Sequence, residues 1–158
     1  MKQVTFCGFD QVDDGKLKYA VIAARYEGKW VFCRHRERDT WEIPGGHREP
    51  GEDIADTARR ELWEETGVKN ARLITPEIVS LEILTVDGHV KRGAYVPSHL
   101  HLNVTYLAEA EESEELLINP DENQGVKWWT FEEALQASKE PWFVERIYPK
   151  LIEKCKLF

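Results

Sequence analysis

The stretch RRELWEETG sets Arg60, Glu61, Glu64 and Glu65 within six residues, and three of the four carry the same charge. On a helix, like charges three and four residues apart repel, so something must offset the cost. At about 100° per residue the three glutamates form a stripe beside an apolar one made of Ile54, Ala55, Ala58 and Leu62. Their carboxylates would then converge at the edge of a buried face. Arg60 lies four residues before Glu64 and can pair with it, leaving the other two short of positive charge. A hard divalent cation answers that shortage, because magnesium takes carboxylate oxygens together with phosphate oxygens and water. The bland alternative is a solvated acidic helix face, since Glu is a good helix former.

The elements that must position these groups are legible on either side. Asp53 is placed to cap the helix and Gly67 to end it in the left-handed conformation. Before it, WEIPGGHREPGE reads as loop. Two β-rich runs, Tyr19 to Arg25 and Trp30 to Arg36, meet at a turn containing Gly28. Arg72 to Val86 reads as one or two strands broken near Pro76. His99 to Leu107 alternates, with Leu100, Leu102, Val104 and Tyr106 on a core face and His99, His101, Asn103 and Thr105 on a polar one. Gly125 to Trp129 is a short strand, Thr130 and Glu133 form a capping box, and a last helix runs from near Pro141 to about Lys154. Helices do not alternate regularly with strands, which predicts a mixed sheet with helices on its faces.

A length of 158 residues suits one domain, taken as 1–158. With 42% hydrophobic and 32% charged residues and no long apolar run, the chain reads as globular, with neither a membrane span nor a signal peptide, and the cytoplasm is its expected compartment. Cys7, Cys33 and Cys155 fit neither a disulfide framework nor a zinc site and read as reduced, buried thiols. The acidic stretch Glu109 to Glu115 reads as a solvated loop. A formal charge of −8 argues against nucleic-acid and acidic-membrane partners. A phosphate ligand would need a metal ion between itself and the protein.

From Gly46 to Val68 the residues Gly46, Glu52, Arg60, Glu61, Leu62, Glu64, Glu65, Gly67 and Val68 fill every fixed and aliphatic position of the Nudix box. The EIPGG before it and GVKWWTFEEAL after it also resemble that family of hydrolases. The resemblance implies an α/β/α sandwich with a mixed β-sheet and hydrolysis of a nucleoside diphosphate linked to a group X. It further implies magnesium, with manganese as a substitute, held by the Gly46 carbonyl, Glu61, Glu64 and Glu65. Arg60 would orient Glu64, Glu52 would contribute from further away, and Glu61 is the first choice for general base. Glu122, six residues before Trp128, matches a further acidic ligand of many members, with Asp121 as a neighbour able to substitute.

Trp41 would border the cleft and Arg36 would meet substrate phosphate, with core packing and a plain surface strand as the alternatives. Arg34 and Arg38 alternate with Arg36, and His47 and Arg48 sit in the box loop. Ile83 to Thr85 reads ILT where some subgroups carry a distinctive Pro or Tyr, which points away from ADP-ribose and dinucleoside polyphosphates. The expected substrate is a small nucleotide, either a nucleoside triphosphate or a modified one, and a homodimer is compatible with the sequence. The rival is a non-catalytic module of the same fold that senses a nucleotide; such a module would be free to lose its glutamates.

Overall fold

A computed structural model of the protein describes residues 4–6, 12–36, 40–110, 115–121, 123–141 and 143–158. The strands are β1 (Val4–Phe6), β2 (Tyr19–Tyr26), β3 (Lys29–His35), β4 (Trp41–Glu42) and β5 (Gly45–His47). After helix α1 (Ile54–Thr66) come β6 (Ala71–Leu73), β7 (Ser80–Val86), β8 (His89–Lys91), β9 (Ala94–Val96), β10 (His99–Ala110) and β11 (Asn123–Trp129). Helices α2 (Phe131–Ala137) and α3 (Tyr148–Cys155) close the chain. The main sheet runs β1-β7-β10-β2-β3-β11, with β4 beside β3, β5 beside β2 and β6 beside β10. The β10–β2 pairing is parallel and the others are antiparallel, so the sheet is mixed as expected.

The feature that builds the site is a fork between β2 and β3. Glu27 and Gly28 both take positive φ, 48° and 76°, the tight turn that a two-residue hairpin needs. The two strands then stay paired only at Arg25 with Trp30 and Tyr26 with Lys29. Beyond that point they part, and residues 41–47 fill the gap. Cys33 and Arg34 pair with Glu42 and Trp41, while Tyr19, Ala20 and Val21 pair with His47, Gly46 and Gly45. The stretch read as loop therefore contains two short strands. Splayed backbones leave ladder groups that must be satisfied, and only a segment crossing between them can do so.

Alternation along β2 sends Ala20, Ile22 and Ala24 to one face, where they pack with Ile54, Ala58 and Leu62 of α1. Val21 and Ala23 go to the other face, against Ala134 of α2 and Tyr148 and Leu151 of α3. The Tyr148 hydroxyl accepts from the Ile43 amide at 3.4 Å, which ties the crossing segment to α3. Asp53 caps α1 by accepting from the Ala55 amide at 2.9 Å, and Gly67 ends it at φ 82°. Thr130 and Glu133 form the expected capping box. The last helix differs from the reading: Phe143–Ile147 form a π-helical turn before α3. Pro149 lacks the amide that would bond the Glu145 carbonyl, so the regular ladder cannot run through.

Two expectations need correction. Glu109 and Ala110 belong to β10, where Glu109 pairs with Arg72 at 3.2 Å and Arg25 at 3.7 Å, and only Glu115 of the acidic stretch is described as loop. The core face of β10 does not include Leu100, which is exposed because that end of the strand extends past β2. On its polar face Asn103 and Thr105 are buried, and Asn103 donates to Glu82 at 3.4 Å.

Glu82 is fully buried on β7, bonded by Ser80 and 3.8 Å from Lys150 of α3. Burial pushes its carboxyl above the ordinary 4.5, an effect that Ser80 and Lys150 only partly offset. The folded state thus keeps this proton to higher pH than the unfolded chain does. Its contribution to stability is full below the ordinary value and falls as pH rises through the folded one. Glu82→Gln is expected to remove that fall, so that urea unfolding midpoints lose part of their decline between mildly acidic and neutral pH.

Candidate active site

Along α1, Glu61 and Glu65 turn inward and are each 8% exposed, whereas the Glu64 side chain remains 47% exposed. Glu64 therefore lies apart from the buried pair in solvent access, although all three share the expected stripe. Arg60 holds more than Glu64. Its Nη1 donates to Glu64 at 3.0 Å and to Glu61 at 2.8 Å. Its Nε and Nη2 make a two-point pair with Glu52 at 2.9 and 3.2 Å, and Nη2 also donates to the His47 carbonyl at 2.9 Å. A planar guanidinium suits this task because its donors are fixed in a fork. Glu52, given only a distant part by the sequence, is the best-held carboxylate of the group. Arg60 lowers its pKa to about 2, while Thr57 and the Glu49 amide add further bonds.

Gly45 and Gly46 bring backbone to the buried pair. The Gly45 amide donates to Glu65 at 3.2 Å, and the Tyr19 hydroxyl donates to the Gly45 carbonyl at 3.3 Å. A Cβ at position 45 would lie 2.3 Å from Val21 Cγ1 and 2.6 Å from the Ala20 carbonyl oxygen; at 46 it would lie 2.3 Å from the Glu61 carboxylate. The two glycines should fail differently. Gly45→Ala presses on backbone that cannot move and is expected to cost about 1–3 kcal/mol or more of stability. Gly46→Ala presses on the end of a flexible side chain. It should leave the melting temperature nearly unchanged but displace Glu61 and lower turnover, as chemical denaturation and kinetics on both variants would show.

The remaining sequence candidates are dispersed. Glu122 lies outside the described residues, as do Arg38 and Cys7. Asp121 is exposed. Trp41 packs edge-on against Trp129, with ring centroids 5.1 Å apart, and Arg36 donates to the Pro120 carbonyl at 3.2 Å. His47 packs edge-on against Tyr19 at 5.1 Å. Burial first, then Lys91 and His99, hold its ring below the ordinary imidazole value, so Lys91 of β8 brings a positive charge toward the box loop. Arg48 bonds Asp14 at 3.0 Å and the Glu52 carbonyl at 2.6 Å, bracing the loop. Cys33 is buried as expected and donates from Sγ to the Glu65 carbonyl at 3.9 Å. Nothing in the sequence signalled that contact, which follows from the fork.

A divalent ion suits the donors at this place. Glu61 and Glu65 offer hard carboxylate oxygens with limited access to water, and the missing Cβ of Gly46 is what gives the Glu61 carboxylate its room. Among the described residues, no three His, Cys, Asp or Glu side chains stand ready to hold a metal by themselves. Two carboxylates completed by phosphate oxygens and water are a usual magnesium arrangement.

A capped helix carrying glutamates and an arginine on one face of a mixed sheet, with two helices on the other, defines a Nudix-type α/β/α fold. Residues 14–151 match the NUDIX domain, and the chain belongs to that family. It is 54% identical over 72 residues to nucleoside diphosphate-linked moiety X motif 6 of Homo sapiens, covering 46% of this chain and 21% of that protein. To the asymmetrical bis(5'-nucleosyl)-tetraphosphatase of Rattus norvegicus it is 31% identical over 100 residues, covering 63% and 61%. The chain thus spans less than two thirds of the length of these curated relatives. Among solved structures, a point mutant of the Bacillus subtilis pyrophosphohydrolase BsRppH superposes with a TM-score of 0.69 at 24% identity, over 99% of this chain and 90% of that one. A C. elegans Ap4A hydrolase gives 0.65 at 20%, over 90% and 99%. These structural likenesses carry the fold.

Proposed function

We propose that the chain is a magnesium-dependent pyrophosphohydrolase that cleaves the diphosphate bond of a nucleoside diphosphate linked to X, with a nucleoside triphosphate or modified nucleotide as the expected substrate. The observation that carries this reading is the pair of buried carboxylates, Glu61 and Glu65, one packed where Gly46 has no Cβ and the other bonded by the Gly45 amide. Magnesium, with manganese as a substitute, would be held by Glu61, Glu64, Glu65, the Gly46 carbonyl and Glu122; when bound it supplies charge neutralisation at the diphosphate and a more acidic water. Glu61 takes the proton of the attacking water as general base, its carboxylate fixed by Arg60. Arg60 also holds Glu64 and Glu52, so the acidic groups keep their places when substrate arrives. Trp41 and Arg36 would serve the substrate only at the rim, since one ring packs on Trp129 and the other side chain is bonded to Pro120.

The names of the relatives support a nucleotide anhydride as substrate, because they include an 8-oxo-dGTP diphosphatase, put forward as such, and an RNA pyrophosphohydrolase. A charge of −8 favours the small nucleotide over RNA. Among the described residues, no helix is long and apolar enough to cross a membrane, and we place the activity in the cytoplasm. The test is phosphate and pyrophosphate release from nucleoside triphosphates, oxidised nucleotides, sugar nucleotides, ADP-ribose and dinucleoside polyphosphates, with and without magnesium. Metal-dependent turnover of one class establishes the reading. Tight nucleotide binding with no turnover of any class would replace it with a sensing module.

A further inference from the structure

Asn123 opens β11 at an irregularity in its pairing with β3. Gly125 pairs with Arg34, but Asn123, rather than Gln124, pairs with His35. One extra residue in a strand reverses the face on which its predecessors stand. The bulge therefore turns Asn123 to the side of His35 and Cys33, the side on which Cys33 touches the Glu65 carbonyl. There Asn123 is only 3% exposed, and its Nδ2 has no hydrogen-bond partner among the described residues. A buried amide donor without an acceptor is rare in folded proteins and calls for an explanation.

The explanation lies beside it. Asn123, Glu42, Glu65 and Gly45 line a cavity with about 10 Å³ for the centre of a water molecule. That is at the lower limit for one water and far too small for a base or a phosphate. The chemistry of the lining also selects water. Glu42 and Glu65 bring carboxylate oxygens, acceptors with several lone pairs each, and Asn123 Nδ2 needs an acceptor; a water molecule, which accepts and donates twice, suits all three with three bonds.

We propose that Asn123 is a positioning residue that holds one ordered water, which accepts from its Nδ2 and donates to Glu42 and Glu65. With the Gly45 amide on the same carboxylate, this water fixes Glu65 for a divalent ion. The proposal rests on the reading of Glu65 as a metal ligand. It assigns functions to the bulge and to Glu42, neither of which belongs to the box.

The test has two parts, each on the 158-residue chain. A crystal structure of the wild type at a resolution that shows waters should place one roughly 3 Å from Asn123 Nδ2 and from a carboxylate oxygen of Glu65. Manganese affinity, read by electron paramagnetic resonance, should weaken about 10- to 100-fold in Asn123→Leu, the usual loss when an outer partner of a metal ligand is removed. Glu42→Gln should weaken it less, and the double variant should be no weaker than Asn123→Leu, because both changes act on one water. A wild-type cavity without water, or unchanged manganese affinity in Asn123→Leu, overturns the proposal. If Asn123→Leu does not fold, the wild-type structure and the Glu42→Gln titration still decide it. A wild type that holds the water and binds manganese but hydrolyses no nucleotide would defeat the proposed activity and leave this inference standing.

Discussion

Glu65→Gln and Glu61→Gln should each lower kcat for the best substrate by about 10²- to 10⁴-fold, the span associated with losing a general base or a charge that stabilises the transition state. The fold should survive both. Glutamine at 65 still presents an oxygen to the Gly45 amide, so the fork keeps its anchor. Glutamine at 61 keeps its size in the gap that Gly46 leaves and an acceptor for Arg60 Nη1. Removing one negative charge from a crowded acidic face also relieves repulsion, so urea midpoints should stay close to wild type or rise slightly. Steady-state kinetics beside urea unfolding separates the two effects. Wild-type turnover in both variants would remove these carboxylates from the chemistry.

Arg60→Ala is expected to damage stability as well as turnover. One guanidinium serves Glu52, Glu61, Glu64 and the His47 carbonyl, and its loss leaves Glu61 buried beside an uncompensated Glu52. Breaking one partner out of a buried ion pair costs about 3–5 kcal/mol and the half-exposed Glu64 adds less than about 1 kcal/mol, so a loss of about 3–5 kcal/mol is expected in all. The variant should also carry a signature in pH. Glu52 is held at about 2 against an ordinary 4.5, so its contribution to stability is present above 4.5 and is lost as pH falls toward 2. Without Arg60 most of that contribution vanishes. Acid unfolding should then begin at higher pH, and the Glu52 carboxyl resonance should titrate near the ordinary value. A Glu52 titration unchanged in the variant would show that another group holds it.

Sequence reading reached furthest where the physics is local. The cap at Asp53, the left-handed stop at Gly67 and the apolar stripe of α1 depend on residues within a few turns of one another, and all three stand in the structure. The box implied the fold because it is a long, spaced pattern. The fork was not legible. Trp41–Glu42 and Gly45–His47 are strands only because β2 and β3 part after two pairs, and no local signal in PGG announces partners more than twenty residues away. The hairpin of β8 and β9 was missed for a different reason: its residues are almost all exposed, so it lacks the alternation that marks a half-buried strand.

Within the site, the pairing of Arg60 with Glu64 followed from spacing, but its two-point hold on Glu52 did not. Those residues are eight apart and meet only because the loop from Glu49 to Glu52 folds back on the first turn of the helix. Glu82 could not be foreseen as buried, since a carboxylate in an alternating strand reads as solvent-facing until α3 and Lys150 are seen to cover it. In both cases the missing information was tertiary, and in both a charged group depends on a partner distant in sequence.

The central claim is that Glu61, Glu65 and the Gly46 carbonyl hold a divalent ion at the fork. Anomalous scattering from a crystal of the 158-residue chain grown with manganese and a non-hydrolysable nucleoside triphosphate analogue tests it most directly. The account predicts a manganese peak within roughly 2.5 Å of a carboxylate oxygen of Glu61 or Glu65, with analogue phosphate oxygens completing its shell. Manganese bound elsewhere with both carboxylates still turned to Arg60 and Gly45, or the analogue bound with no metal at the fork, would contradict it.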